Sequence, residues 1–362
     1  METIGIKTPA FPAAPREIII WAVLFVVSLV YGLISINHYN KLQTDAPDTA
    51  KIALVQPNLD PWRGGLPAYK ANYAALKRLS DEAIASSEAA NENAGLDLVV
   101  WPETAFVPRI YWHTHYRDDP PSYALVKELL DYLASQDVPF LLGNDDARRE
   151  VQPNGQYERV DYNAALLFEK GEEKGIYRKM RLVPFTEHFP YKDILPGVYQ
   201  ILLDADTHMW KAGVDPTVFK VDKFNFSTPI CFEDCFGYIS REFVQNGADI
   251  LVNITNDAWS QSLSAQMQHA TMAAFRAVEN RKPIVRSTAS GQTCAFSPTG
   301  KLLAMAEPFC ETFLLVDLPI LRGEGSLYTE AGDILGLLAA IFSLGILLFG
   351  GISCIIKKRM KK

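Results

Sequence analysis

Three short motifs, each at the end of a predicted strand, carry reactive side chains. Glu103 lies in WPETAF (101–106), Lys179 in YRKMRLVPFTE (177–187), and Cys231 in PICFED (229–234). A carboxylate, an ammonium group and a thiol that meet in one site can transfer an acyl group through a thioester. These three residues are therefore the first candidates for catalysis.

Each of the three groups has a distinct chemical task in such a reaction. A free thiol is only slightly ionised at neutral pH, so Cys231 needs a base or a positive field to attack a carbonyl carbon. Glu103 can be that base if burial raises its pKa towards neutrality. Lys179 can stabilise the tetrahedral oxyanion, together with a backbone N–H just after Cys231.

Simpler interpretations exist for each residue. Glu103 could be a surface turn residue, Lys179 one solvated charge among several, and Cys231 a small buried apolar residue. A disulfide between Cys231 and Cys235 is a further alternative. The chain has five cysteines and none shows the spacing of a metal site, so the sequence predicts neither a metal nor a cofactor. The three motifs favour a site because they occur together, each at the end of a predicted strand.

Strands alternate with helices along the middle of the chain, which is typical of an α/β domain whose helices cover the faces of its sheets. Predicted strands cover 51–55, 96–101, 139–143, 163–168, 226–231, 250–254, 283–287 and 292–296. Predicted helices cover 68–90, 123–133, 238–246 and 264–280. Residues 297–300 (SPTG) predict a type I turn in a hairpin.

Two uncharged segments are typical of membrane-spanning helices, 18–36 and 334–356. The first is about 28 Å long as a helix, and a signal peptide is its alternative. The second is followed by the basic tail 357–362, which places both 1–17 and the tail in the cytoplasm by the positive-inside rule. A linker (37–50) and a catalytic domain (51–320) would then lie on the outer face. The alternative is a basic tail that merely solubilises the end of a buried helix.

The net charge of −7 argues against a nucleic-acid partner, since no basic stripe with interleaved aromatic residues is present.

The order of Glu103, Lys179 and Cys231 in their motifs resembles the carbon–nitrogen hydrolase (nitrilase) superfamily. Within it, the sequence is most similar to the apolipoprotein N-acyltransferase branch of bacterial inner membranes. The segments VNITNDAW (252–259), QH (268–269), RAVENR (276–281) and RSTASG (286–291) carry this second likeness. The resemblance implies a four-layer αββα sandwich with a Glu-Lys-Cys triad, flanked here by one N-terminal and one C-terminal transmembrane helix.

The resemblance also implies a two-step reaction and its partners. Cys231 would take an acyl chain from a membrane phospholipid, and the N-terminal amine of a diacylglyceryl lipoprotein would then accept it. Glu187 and Glu233 match further active-site carboxylates, and Trp62 matches a mobile-loop tryptophan. A carboxylate favoured by the helix dipole is the alternative for Glu233.

The sequence departs from this branch in two places. Phe232 follows the nucleophile where the branch often has an aromatic hydroxyl. One span precedes residue 50 where the branch has several, which suggests a truncated, split or minimal protein and leaves room for a separate membrane subunit.

Three other functions remain open. A membrane-anchored nitrilase or amidase would use the same triad with water as the acceptor. An inactive paralogue would only bind lipoproteins. A Cys–His protease is a third alternative, although none of the six histidines lies in a recognisable partner motif.

Overall fold

The structure is a computed structural model that describes residues 15–90, 95–152, 155–192, 194–204, 209–323 and 325–359, with only the backbone given for 15–17, 203–204 and 351–359. Residues 1–14 of the predicted cytoplasmic N-terminus and 360–362 of the basic tail lie outside this part of the chain. Contacts divide the chain into two compact units, 1–45 and 46–362, which are described separately.

The described residues of the first unit form one long apolar helix, α1 (Pro15–Thr44). Its segment Ile18–Thr44 is long and apolar enough to cross a membrane, and its side chains are almost entirely unburied. Residues 37–44 of the predicted polar linker (37–50) continue this helix. Their side chains bond back to the preceding turn, with Gln43 donating to the Tyr39 carbonyl and Thr44 to the Asn40 carbonyl.

The second unit contains two six-stranded sheets. Its strands are β1 (Thr49–Gln56), β2 (Leu98–Val100), β3 (Phe140–Val151), β4 (Tyr157–Glu169), β5 (Glu172–Arg178), β6 (Phe219–Lys220), β7 (Asn225–Ser227), β8 (Ile250–Thr255), β9 (Ile284–Thr288), β10 (Cys294–Phe296), β11 (Leu302–Met305) and β12 (Thr312–Pro319). The first sheet has the order β12-β1-β2-β3-β4-β5 and the second β11-β10-β9-β8-β7-β6. In each sheet parallel pairs lie at the centre and antiparallel pairs at the edges.

Helices complete the unit. They are α2 (Gly65–Ala90), α3 (Ile110–Tyr116), α4 (Pro120–Ala134), α5 (Pro196–Asp204), α6 (Gly237–Gln245), α7 (Leu263–Asn280), α8 (Leu327–Ala331) and α9 (Ile334–Arg359). Helices α2 and α4 pack their apolar faces on the first sheet, and α6 and α7 pack on the second. The inner faces of the two sheets share one apolar core, which includes Ile52, Leu98, Leu141, Val252 and Ile284. These layers form the predicted αββα sandwich.

Several element boundaries differ from the sequence-based expectation. The strand predicted over 226–231 stops at Ser227, and Ile230 then makes only an isolated bridge to Ile254. Pro229 explains the break, because proline has no N–H to donate to a neighbouring strand. The predicted turn over 297–300 is confirmed, since the Gly300 N–H donates to the Ser297 carbonyl between β10 and β11.

The C-terminal helix α9 is attached to the sandwich through the short helix α8. Arg241 and Gln245 of α6 donate to the backbone carbonyls of Tyr328, Thr329 and Glu330 in α8. Within the part of α9 whose side chains are described, the apolar stretch is Ile334–Gly350. That stretch is about 26 Å long, a little less than the roughly 30 Å of a hydrocarbon core, so it is a weaker membrane candidate than α1.

Candidate active site

The three candidate residues lie at strand ends of the two facing sheets. Glu103 follows β2, Lys179 directly follows β5, and Cys231 follows the bridge residue Ile230 beyond β7. Glu103 is 6 % exposed and Lys179 is fully buried, so the alternatives of a surface turn residue and a solvated charge are excluded. Cys231 and Cys235 are free thiols, and the disulfide alternative is therefore not formed.

Lys179 joins two buried carboxylates. Its Nζ lies 2.7 Å from Glu187 Oε1 and 3.4 Å from Glu103 Oε1. Burial alone would lower the pKa of Lys179, but Glu103, the Cys231 thiol and Glu187 outweigh it and raise the pKa above its usual range. Lys179 therefore stays positively charged, and such a charge can stabilise an oxyanion.

Neutral donors hold Glu103 in place. The Asn163 side chain donates to Oε1 at 2.7 Å, and the Asn256 backbone N–H donates to Oε2 at 2.8 Å. Gly143 packs against the turn so closely that an added Cβ would lie 2.7 Å from the Glu103 Cα. One donor from each sheet thus holds the carboxylate, and Gly143 of β3 packs against the backbone of Glu103.

Cys231 opens a 3₁₀ turn that spans Cys231–Cys235. Its φ of 52° is in the left-handed region, which non-glycine residues rarely adopt and which is often found at functional sites. Burial, followed by the Glu103 charge, raises the pKa of the thiol well above its ordinary value, whereas Lys179 lowers it. The thiol therefore stays protonated at neutral pH, and an attack by sulfur requires a base to take its proton.

Glu187 and Glu233, the two further carboxylates that the family resemblance implies, make different contacts. Glu187 holds Lys179 and also accepts from the Val183 N–H at 2.8 Å. Glu233 is fully buried and accepts from four groups, the Tyr177 hydroxyl and the backbone N–H groups of Met180, Arg181 and Ile230. Glu233 therefore ties the chain after Lys179 to the nucleophile turn. Burial raises its pKa to about 7 against the opposing effect of these donors.

The two aromatic candidates lie at the edge of the site. Phe232 is partly exposed and packs edge-to-face on Phe236, with ring centroids 4.9 Å apart. Trp62 is 37 % exposed and lies 5.8 Å from the ring of Trp210, whose backbone N–H donates to the Glu187 carbonyl. Trp62 thus contacts Trp210, which is hydrogen-bonded to Glu187, and Glu187 in turn pairs with Lys179.

A cavity of about 450 Å³ lies beside the segment that carries Glu187. Its lining combines apolar and cationic side chains, among them Leu182, Phe189, Tyr199, Lys192 and Lys211.

Sequence reasoning missed several polar residues around the triad. Asn163, Asn256 and Tyr177 were not singled out, although the first begins a predicted strand and the third begins the lysine motif. Asp234, Asp257, His269 and Arg286 appeared only as parts of motifs that carry the family resemblance. All four belong to one buried charge cluster behind the nucleophile turn.

Among the residues with described side chains, one group brings potential metal ligands close together. Donor atoms of Asp234, Cys235 and His269 lie within 4.8 Å of one another. Arg286 also pairs with Asp234, so a guanidinium already balances this carboxylate. We therefore assign no metal to this group.

The sequence pattern of the carbon–nitrogen hydrolase family matches residues 51–322. The chain therefore belongs to that family. Two solved structures have the same fold: an amidase of the nitrilase superfamily from Nesterenkonia (TM-score 0.50, 18 % identity, 75 % of this chain and 90 % of that one) and a branch 10 member of the superfamily from Saccharomyces cerevisiae (TM-score 0.51, 18 % identity, 76 % and 91 %).

Relatives of known name are more similar in sequence. Apolipoprotein N-acyltransferase 1 of Treponema pallidum is 48 % identical over 315 residues, which cover 86 % of this chain and 57 % of the relative. The protein of the same name from Treponema denticola is 44 % identical over 335 residues, 89 % of this chain and 60 % of the relative. The chain thus spans somewhat more than half the length of these relatives.

Proposed function

We propose that this chain carries the catalytic domain of an apolipoprotein N-acyltransferase. The observation that carries the proposal is the identity of 48 % and 44 % to two proteins of that name, over 86 % and 89 % of the chain. The constellation of the buried Glu103 and Lys179 with the partly exposed Cys231 supports it, because the same three groups can perform both halves of an acyl transfer.

In the first half-reaction, Glu103 takes the proton of the Cys231 thiol and the sulfur attacks an ester carbonyl of a phospholipid. The oxyanion forms near the Lys179 ammonium. When the intermediate collapses, the ester C–O bond breaks, Glu103 returns the proton to the leaving oxygen, and a lysophospholipid departs. The acyl chain remains on Cys231 as a thioester.

In the second half-reaction, the amine of a diacylglyceryl-cysteine attacks the thioester carbonyl. Glu103 accepts the proton from nitrogen, Lys179 again faces the oxyanion, and collapse breaks the C–S bond. The amide forms and the proton returns to the sulfur of Cys231. Glu187 serves throughout by holding Lys179 in position.

A membrane location supports the choice of a lipid donor. Segment α1 is long and apolar enough to span a bilayer, and the stretch 185–201 exposes a set of large apolar side chains. These are Phe185, Tyr191, Ile194, Leu195, Val198 and Ile201. We propose the bacterial inner membrane, with the catalytic domain on its outer face, because the tail 357–362 is strongly basic. A reporter fused after residue 362 that works only when exported would contradict this orientation.

The test of function is to incubate the purified chain in micelles with phospholipid labelled in its acyl chains. We expect a hydroxylamine-sensitive acyl adduct that Cys231→Ser abolishes and that the matched control Cys235→Ser retains. Addition of a diacylglyceryl peptide with a free amine should discharge the adduct to an amide. Release of free fatty acid in place of the amide would identify a hydrolase, and no adduct in the parent protein would identify a binding protein.

A further inference from the structure

Behind the nucleophile turn lies a buried cluster of four charged groups, Asp234, Asp257, His269 and Arg286. His269 Nε2 is 3.1 Å from Asp234 Oδ1, and His269 Nδ1 is 3.0 Å from Asp257 Oδ1. Arg286 pairs with the second oxygen of each carboxylate, at 3.2 Å for Asp257. Both carboxylates and the guanidinium are at most 1 % exposed. Each carboxylate is thus bridged by the same two cationic side chains.

The cluster connects the supports of two candidate catalytic groups. Asp234 lies in the same short turn as Cys231, three residues further on. Asp257 directly follows Asn256, whose backbone N–H donates to Glu103 Oε2 at 2.8 Å. The imidazole of His269, which projects from α7, therefore braces the nucleophile turn against the turn that orients the base.

The charges around His269 favour a protonated imidazole. Asp234 and Asp257 face it directly, and Arg286 faces it from β9 at 3.3 Å. Other polar groups packed around the cluster are Cys235 of the turn, Arg276 of α7, which donates to the Asp234 carbonyl, and Cys294 of β10. With His269 protonated, two cations balance two carboxylates; without that charge, Arg286 alone faces both, and one buried negative charge is left uncompensated.

We propose that His269 is a positioning residue for the acyl transfer, which keeps Glu103 aligned with Cys231 by bridging Asp234 and Asp257. The inference rests on the proposed roles of Cys231 and Glu103 but not on the identity of the donor or the acceptor. The proposal assigns a role to His269 of the QH motif (268–269), a residue that lies outside the Glu-Lys-Cys triad.

The test is single-turnover acylation of the full chain in micelles by a p-nitrophenyl ester. The thioester to Cys231 forms as p-nitrophenolate leaves, and the burst reports acylation without phospholipid or lipoprotein. Misplacement of a reacting group by about 1 Å can cost on the order of 100-fold, so we expect His269→Ala to slow the burst about 100-fold. We expect the ester concentration at half-saturation to change little. Thr271→Ala, an exposed position on the same helix, is the matched control and should keep the parent rate.

The decisive readout is the combination with Glu103→Gln. If His269 acts by aligning Glu103, the base contributes little once His269 is gone, and the double variant should be nearly as fast as the slower single variant. The proposal would be overturned if the factors by which the two single variants slow the burst multiply in the double variant. It would also be overturned if the His269→Ala burst is within twofold of the parent rate. If His269→Ala does not fold, His269→Gln carries the same test, since its single amide nitrogen can donate to a carboxylate but does not replace the two ring nitrogens that bridge Asp234 and Asp257. A burst that survives Cys231→Ser would instead refute the nucleophile and with it the proposed function.

Discussion

Replacement of Lys179 by methionine removes a buried charge while it keeps most of the side-chain volume. The variant leaves the Glu103 and Glu187 carboxylates, both almost fully buried, without the ammonium that lies 3.4 Å and 2.7 Å from them. These two distances place the contacting carboxylate oxygens no more than about 6 Å apart, and two unit charges at that separation repel by about 3 kcal/mol at an effective dielectric constant of 20. Removal of one partner from a buried ion pair typically costs about 3–5 kcal/mol. We therefore expect Lys179→Met to lower the free energy of unfolding by about 3–5 kcal/mol at pH 8.

The pH dependence of this loss has a definite sign. Without the ammonium, the two buried carboxylates repel each other only while both are ionised. Acid favours the protonated form of either group and so removes part of this repulsion. The deficit of Lys179→Met should therefore be smaller at pH 5 than at pH 8.

The assay is urea unfolding in micelles, followed by tryptophan fluorescence, at both pH values. Lys174→Met is the matched control: it removes a lysine of β5 that pairs with Glu172 at 2.6 Å on the surface, and it should change stability little. Adding Glu187→Gln to Lys179→Met should restore much of the stability but none of the acylation burst. The reasoning fails if Lys179→Met is as stable as Lys174→Met, or if its deficit grows as the pH falls.

Three further outcomes are expected. Gly143→Ala should slow the acylation burst at least tenfold, because its Cβ would lie 2.7 Å from the Glu103 Cα and must displace the base; a parent-like rate would refute this. Tyr177→Phe removes a hydroxyl 2.9 Å from both oxygens of Glu233 and should cost about 1.5–3 kcal/mol in urea unfolding. This loss should grow with pH, since the pKa of Glu233, already raised to about 7 by burial, would rise further. Although burial opposes the charged imidazole, Asp234 and Asp257 raise the pKa of His269 to about 9, so its stabilisation is complete below pH 6.5 and is lost as the pH rises through 9. Between these values the parent should lose about 3 kcal/mol more than His269→Gln, and equal losses would contradict the assignment.

Glu103 and Cys231 could be placed at strand ends because each follows a short apolar run, and apolar runs mark buried strands. Lys179 follows the polar strand β5, which pairs antiparallel with β4, so no apolar run indicated its position. Sequence reasoning was less accurate where polar residues belong to regular structure. The hairpin of β3 and β4 extends from Phe140 to Glu169, far beyond the apolar runs 139–143 and 163–168, and so its polar half was not predicted.

Buried polar contacts were the least predictable part of the site. Glu233 was expected as a further active-site carboxylate, but the sequence did not indicate that it accepts from Tyr177 and three backbone N–H groups. The bridge between Asp234 and Asp257 joins positions in different elements, and the partner of a buried charge cannot be read from hydrophobic periodicity. Such contacts depend on the three-dimensional arrangement of the sheets.

The attachment of α8 to α6 has a mechanical consequence for the nucleophile. Arg241 and Gln245 donate to main-chain carbonyls, so these hydrogen bonds do not depend on the side chains at positions 328 and 330. Helix α9 begins shortly after α8, and α6 begins at Gly237, immediately after the turn that carries Cys231. A displacement of α9 would therefore be transmitted through α8 and these hydrogen bonds to α6, and from α6 to the turn that carries Cys231.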